Sequence, residues 1–129
     1  MTGRRISLEL QDALGHMLLL DGWVSRVLSE HELLDLLPRL IRGIKMTPIG
    51  PPVVHPHPWG PSGYQMMGES HFAFDYFYQK AVTMELFSCQ EFDRTQAVAM
   101  LREAFLIQGE PVVRFVERGV GMKRKALVS

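Results

Sequence analysis

Three short segments with the pattern of β-strands follow one another along the chain, at residues 64–67, 71–78 and 82–87. Apolar and polar side chains alternate in them, and this period of two is typical of a strand that is buried on one side. Gln79 and Lys80 are predicted to form a tight turn between the last two. Because short turns join antiparallel neighbours, these segments predict an antiparallel sheet at the centre of the fold.

A helix is predicted before this group of strands, over residues 29–46. Ser29 and Glu32 have the spacing of a capping box, in which each side chain bonds the backbone N–H of the other residue. Leucine and isoleucine then recur every three or four residues, which gives the helix one apolar face. Pro38 lies inside this pattern and is expected to kink the helix or restart it.

A second helix and two more strands complete the predicted elements. Asp93 is a suitable N-cap for a helix over residues 93–105. The apolar run at residues 16–21 is predicted as a buried strand, and residues 111–116 are predicted as the last strand.

The segment between the first helix and the strands, residues 47–63, is rich in proline and glycine. It is predicted as a loop, with room for a short edge strand at residues 52–55. The order of elements then predicts one α+β domain over residues 1–129. In it a mostly antiparallel sheet carries helices on one face, as a two-layer sandwich, and a second subunit is expected to cover the other face.

The charge balance and the cysteine content limit the classes of partner. Fourteen basic residues balance fourteen acidic ones, so we expect neither nucleic acid nor a membrane surface as a partner. No apolar run reaches the length of a membrane span. Cys89 is the single cysteine and has no partner for an internal disulfide, which favours a reducing cytoplasm.

Few residues suggest chemistry on their own. Ser70 and His71 are adjacent, but neighbours on a strand point to opposite faces, so His71 is a poor general base for Ser70. A lone cysteine such as Cys89 is usually a small buried apolar residue. His55 and His57 have no third metal ligand at a useful spacing, which favours a loop with incidental histidines over a metal site.

The motifs together are more specific than any one of them. Ser62-Gly63, Glu69-Ser70-His71 and the run Leu86-Phe-Ser-Cys89 occur in an order and spacing that resemble the prokaryotic S-adenosylmethionine decarboxylase proenzymes, a pyruvoyl-dependent family. The resemblance extends to residues 15–21, to the turn at residues 59–63 and to residues 116–119. It therefore covers nearly the whole chain in order.

The resemblance implies that the chain is a zymogen that cuts itself autocatalytically between Glu69 and Ser70. The products are a β chain of residues 1–69 and an α chain of residues 70–129. Ser70 becomes a pyruvoyl group, which serves as the cofactor. This group forms a Schiff base with the substrate amine and takes up electrons when carbon dioxide leaves.

Other roles follow from the same resemblance. Ser62 is expected to assist the acyl shift during cleavage, and Cys89 is expected to donate the proton that quenches the carbanion. The family's two-layer fold works as a homodimer in the cytoplasm. The implied function is decarboxylation of S-adenosylmethionine, a small-molecule substrate, for polyamine (spermidine) biosynthesis.

The sequence departs from the family pattern at the processing base and at the nucleoside pocket. Asp75 replaces a histidine that serves in self-cleavage, and a bulge or bend is expected to bring it towards Ser70. Gln79 replaces the glutamate that binds the substrate ribose. His55, His57 or Trp59 stands in for the aromatic residue that stacks on adenine.

These departures leave two alternatives to the leading function. One is a pyruvoyl-dependent arginine or ornithine decarboxylase, because such substrates have no ribose or adenine. The other is an uncleaved, catalytically silent homologue that acts as a binding or regulatory subunit, an alternative raised by Asp75.

Overall fold

The computed structural model describes the backbone of residues 4–9 and 12–128 and the side chains of residues 12–124. Over these residues eight strands and two helices occur in the order β1 (Arg4–Glu9), β2 (Gly15–Val24), α1 (Glu30–Gly43), β3 (Val53–His57), β4 (Gly60–Met67), β5 (Ser70–Phe77), β6 (Ala81–Ser88), α2 (Arg94–Ala104), β7 (Ile107–Arg118) and β8 (Lys123–Val128).

Six of these strands form one antiparallel sheet in the order β3-β4-β5-β6-β2-β7. The hairpins β3-β4, β4-β5 and β5-β6 place four consecutive strands side by side. Strand β2 then lies between β6 and β7. The predicted α+β class is confirmed, with an antiparallel sheet and two helices.

Both helices pack on the same face of the sheet. Directly opposed residues on neighbouring strands point to the same face, so burial separates the two faces clearly. The face under the helices carries the buried residues Leu18, Leu20, Phe72, Phe74, Tyr76, Val82, Met84 and Leu86, which pack with Leu33, Leu37, Leu40, Ile41, Ala97, Leu101 and Phe105.

We call the opposite side of the sheet the open face, because no described element covers it. Its exposed apolar side chains are Val53, Tyr64, Met66, Val112 and Val116. Polar side chains lie between them, and Arg114 on β7 pairs with Asp21 on β2 at 3.3 Å. A face of this composition is suited to contact with another protein surface.

Helix α1 begins as the sequence predicts. The Glu32 N–H donates to the Ser29 hydroxyl at 3.1 Å, and the Ser29 N–H donates to the Glu32 carboxylate at 3.1 Å. Arg26 donates to both oxygens of the same carboxylate, and this hydrogen bonding lowers the pKa of Glu32 to about 2. The expected restart at Pro38 was wrong, because one helix runs through it; the kink stays a prediction. Leu34, the residue whose carbonyl loses its helical partner to the proline, is exposed.

The prediction of a loop over residues 47–63 was wrong for its second half, although the short edge strand expected at residues 52–55 is present as β3 at the edge of the sheet. Strands β3 and β4 form a hairpin there, and only the two residues Pro58 and Trp59 connect them. Prolines remove donors from a sheet ladder, so the sequence of this hairpin reads as a loop. Pro56 and Pro61 oppose each other in the hairpin.

The remaining elements agree with the sequence in kind and differ in length. Asp93 caps α2 by accepting from the Gln96 N–H at 3.0 Å. Strand β7 extends past the predicted residues 111–116 at both ends. The pairing of β1 with β8 was not predicted. None of the helices in the described part of the chain has the length and apolarity to cross a membrane.

Candidate active site

The Glu69–Ser70 peptide bond lies where a tight turn becomes a strand. Gly68 and Glu69 form the turn between β4 and β5, and Ser70 is the first residue of β5. Ser70 has a φ of 157°, a backbone angle that residues with a side chain rarely adopt. Such residues carry about 1–3 kcal/mol of strain, so the backbone is strained at this bond.

The side chain of Glu69 is tied to the segment that follows α1. Its carboxylate accepts from the Thr47 N–H at 2.8 Å, and the Thr47 hydroxyl lies 3.4 Å from its second oxygen. The Gly68 N–H donates to the Thr47 carbonyl at 2.8 Å. One backbone bond, one bond from a backbone N–H to a side chain and one side-chain contact therefore hold the turn against residue 47.

The carbonyl of Glu69 has a donor of its own. The Cys89 N–H donates to this oxygen at 2.9 Å. Cys89 directly follows β6, and its side chain is exposed. A backbone donor on the carbonyl of a peptide bond stabilises negative charge that develops on that oxygen.

Ser88 fixes the position of that donor, and the sequence analysis gave it no role. Ser88 is fully buried and lies directly opposite Ser70 in the β5-β6 pairing. Its hydroxyl donates to the Gln90 carbonyl at 2.7 Å and accepts from the Gln90 N–H at 3.0 Å. These bonds form a local turn around Cys89. We call Glu69, Ser70, Ser88 and Cys89 the turn cluster.

A cavity of about 270 Å³ lies beside the turn cluster, on the helix side of the sheet. Glu69 lines it from the turn before β5 and Ser88 from the end of β6. Its other lining residues include Gln90 after β6 and, at the ends of the helices, Lys45 and Asp93. The cavity gives a small polar molecule a place next to Glu69 and Ser88.

A histidine that the sequence analysis did not select lies in the same transverse row as Ser70. His16 on β2 lies opposite Ser88 on one side and Glu117 on the other. Its ring contacts the Glu117 carboxylate, which Arg94 also contacts. The only sequence signal was that His16 begins the predicted strand.

Ser62 and Asp75 lie elsewhere, on the open face. They are direct cross-strand partners in the β4-β5 pairing, and His55 lies opposite Ser62 on its other side. All three line one depression of about 210 Å³. We call His55, Ser62 and Asp75 the open-face row.

Within one chain the open-face row does not reach the turn cluster. Asp75 is five residues from Ser70, which is about 16 Å along an extended strand, and it points to the opposite face. The bulge or bend expected to bring Asp75 closer was wrong, because β5 pairs with both neighbours without a register shift. His71 also points to the open face, where its ring lies 5.6 Å from that of Phe87.

The predicted substrate-binding residues lie at the far end of the sheet from Ser70. The rings of His57 and Trp59 stack at 4.5 Å with 5° between their planes, and His55 meets His57 edge to face at 4.6 Å. Gln79 is exposed in the turn between β5 and β6. Among the described residues no group of three metal-binding side chains occurs.

Comparison with known proteins gives one family and one fold. The sequence profile for S-adenosylmethionine decarboxylase matches residues 17–119. No curated protein sequence matches the chain. The crystal structure of the adenosylmethionine decarboxylase from Aquifex aeolicus superposes with a TM-score of 0.69 at 15% identity, covering 86% of this chain and 95% of that chain. At this identity the structural likeness speaks for the fold. The profile match spans most of the chain and includes both the turn cluster and the open-face row, and on that ground this chain belongs to the S-adenosylmethionine decarboxylase family.

Proposed function

We propose that the chain cleaves itself between Glu69 and Ser70 and then acts as a pyruvoyl-dependent decarboxylase. The observation that carries the proposal is the 2.9 Å hydrogen bond from the Cys89 N–H to the Glu69 carbonyl, at a serine with a strained backbone. The bond continues the β5-β6 ladder by one residue, and in doing so it places a fixed donor on the carbonyl at which the reaction begins. The donor and the strain at Ser70 together favour a reaction at the bond between Glu69 and Ser70.

The first step is an acyl shift. The Ser70 Oγ attacks the carbonyl carbon of Glu69, and negative charge collects on the carbonyl oxygen, where the Cys89 N–H stabilises it. One such donor is typically worth about 10²–10³ in rate. The C–N bond then breaks as its nitrogen takes up a proton, which leaves Glu69 joined to Ser70 by an ester and releases the strain at the Ser70 φ.

The second step is an elimination that needs a base. The base removes the Cα proton of residue 70, that electron pair forms the Cα–Cβ double bond, and the Cβ–Oγ bond breaks with its pair on the Glu69 carboxylate. Water then hydrolyses the new N-terminus to a pyruvoyl group with loss of ammonia. The base returns its proton to solvent. These steps involve no net oxidation or reduction, so no oxidant or reductant is needed.

The open-face row supplies processing groups to a second copy of the chain. Ser62 and Asp75 lie about 16 Å from their own Ser70 and on the opposite face, so they act on the Ser70 of a partner. The exposed apolar side chains of the open face favour such a pairing. We therefore propose a homodimer in which the open-face row of one copy lies at the end of the sheet that carries the Glu69–Ser70 bond of the other.

The residues around Ser70 fit a pyruvoyl group. Residue 70 becomes a chain end beside the 270 Å³ cavity, with the buried Ser88 opposite it. A pyruvoyl carbonyl supplies an electron sink for the carbanion that remains when carbon dioxide leaves. Cys89 has an exposed side chain at this edge, and we assign it the return of a proton to that carbon.

S-adenosylmethionine is the substrate we propose, and its decarboxylation serves polyamine synthesis. Because His57, Trp59 and Gln79 lie at the far end of the sheet from Ser70 of their own chain, we assign them to the site of a partner copy. The stacked rings of His57 and Trp59 offer a flat surface suited to a purine, and Gln79 provides hydrogen-bonding groups at the same end of the sheet. The single cysteine of the chain suits a reducing cytoplasm.

Decarboxylation of a basic amino acid is the second candidate. A depression of about 180 Å³ on the open face is lined by the carboxylates of Asp21, Asp75 and Glu85, with Arg114 as the basic residue among its lining side chains. An excess of carboxylates favours a cationic side chain in the substrate, such as that of arginine or ornithine.

Mass spectrometry of the intact purified protein tests the proposal. We expect two chains with the boundary at Glu69–Ser70, and a blocked N-terminus on the smaller one. The variant Ser70→Ala stays a single chain, whereas Ser25→Ala, at an exposed serine outside the site, cleaves like the wild type. A wild-type chain that stays whole after long incubation at high concentration overturns the proposal and favours the silent homologue.

Release of labelled carbon dioxide identifies the substrate once cleavage is established. We expect release from S-adenosylmethionine. Release from arginine or ornithine alone assigns the second candidate.

A further inference from the structure

We propose that His55 is the base of the open-face row, the group that removes the Cα proton from residue 70 of the partner copy. The inference rests on the proposed self-cleavage and names a residue for its second step. It assigns a catalytic role to a side chain that the sequence analysis considered only as an incidental loop histidine or a substitute for the residue that stacks on adenine.

The pairing of three strands places His55 in this position. His55 on β3 opposes Ser62 on β4, and Ser62 opposes Asp75 on β5. Directly opposed residues have Cβ atoms about 4.5–5.5 Å apart. An imidazole and a carboxylate therefore flank the Ser62 hydroxyl on one face, and all three side chains line the same depression.

Two contacts hold the hairpin and the ring of His55 in place. His57 meets His55 edge to face at 4.6 Å and is itself stacked on Trp59. Gly60 closes the hairpin with a φ of 137°, and a Cβ there would lie 2.5 Å from the Tyr76 carbonyl oxygen. The hairpin thus lies directly against β5, and the position of His55 is defined relative to Asp75.

The chemistry of the elimination favours an imidazole over a carboxylate. A base works best when its pKa is near the working pH. Imidazole groups ordinarily titrate at about pH 6.5 and carboxyl groups at about pH 4. In this assignment His55 takes the proton, and Asp75 stabilises the imidazolium that forms, from the far side of Ser62.

The other four histidines of the chain are placed less well. His71 lies four residues from Asp75, which is about 13 Å along the strand. His16 lies on the helix side and contacts Glu117, and His31 lies on α1. His57 opposes Gly60, so the residue across from it offers no side chain. His55 alone shares a row with Ser62 and Asp75.

The test is the rate of self-cleavage, followed by the mass of the intact chain. We expect His55→Ala to cleave about 10²–10⁴ times more slowly than the wild type, which is the usual contribution of a general base. His31→Ala is the matched control and cleaves at the wild-type rate. We expect added imidazole to restore cleavage in His55→Ala, because it can replace the missing base. A variant that has only lost a structural contact does not respond to imidazole.

A pH profile provides a second readout. The titratable groups around His55 are His57 on its own strand, Tyr64 on β4 and Asp75 on β5. We expect the cleavage rate of the wild type to rise through the titration range of an imidazole, and this rise to disappear in His55→Gln. In His57→Gln the rise remains.

The outcomes separate this inference from the function on which it rests. A wild-type chain that does not cleave overturns the self-cleavage itself. Cleavage of His55→Ala at the wild-type rate overturns only the role of His55. A third outcome is slow cleavage of His55→Ala that imidazole does not restore, together with an unchanged pH profile in His55→Gln. This outcome also overturns the role of His55 as a base and leaves it as part of the hairpin packing.

Discussion

Replacement of Ser88 by alanine tests whether the local turn after β6 directs the Cys89 N–H at the Glu69 carbonyl. The buried hydroxyl makes two hydrogen bonds with Gln90, at 2.7 and 3.0 Å. At about 1 kcal/mol for each bond, we expect Ser88→Ala to lower the free energy of unfolding by about 2 kcal/mol. Complete loss of the donor on Glu69 would slow cleavage by about 10²–10³. Because the β5-β6 pairing still holds the end of the strand, we expect a slowing of about tenfold to hundredfold.

Stability and cleavage are best measured on different backgrounds. Urea unfolding of Ser88→Ala is compared with its parent in chains that also carry Ser70→Ala, so that every molecule is uncleaved. Cleavage is followed by intact mass in chains with Ser70 present, and Ser25→Ala is the control for loss of an exposed hydroxyl. Loss of stability with cleavage at the wild-type rate refutes the role of the turn, because the donor is then directed without it.

Two further predictions concern the dimer and the start of α1. The first experiment co-expresses chains with Ser70→Ala and chains with His55→Ala, each of which is deficient in cleavage alone. In the mixture we expect the His55→Ala chains to be cleaved, because their partners supply an intact His55. No cleavage in the mixture contradicts the exchange of groups between copies. The carboxylate of Glu32, with its pKa lowered to about 2, contributes stability that is present above the ordinary carboxyl pKa of about 4 and is lost as the pH falls towards 2. Glu32→Gln is therefore expected to flatten the fall of the urea midpoint between these pH values, and an unchanged slope speaks against the pair with Arg26.

The sequence predicted the elements whose pattern is local. The alternation in residues 71–78 identified β5 and indicated that His71 and Ser70 face opposite ways, and the capping box identified the start of α1. The sequence indicated part of each strand of the β3-β4 hairpin, at residues 52–55 and 64–67, but their continuation towards the turn was missed because Pro56 and Pro61 remove ladder donors, a signal that is typical of loops. Tertiary pairing with β5 overrides that local preference.

The sequence selected some residues of the candidate site and did not determine how they are arranged. The motif order selected Glu69, Ser70 and Cys89, and the structure brings these together. Ser88 had no signal of its own, because its role depends on burial and on the turn at Gln90. The row of His55, Ser62 and Asp75 depends on the register of two hairpins. A shift of one residue in either would send one of these side chains to the other face, and sequence spacing does not determine that register.

The distance of about 16 Å between Ser70 and Asp75 within one chain has a consequence for the timing of maturation. If processing groups are exchanged between copies as proposed, a newly made chain holds both halves of the processing machinery but does not use them on itself. Under that proposal cleavage requires an encounter between two folded chains, and at low concentration its initial rate is expected to rise with the square of the protein concentration. A copy that fails to fold or to find a partner would then stay in the precursor form.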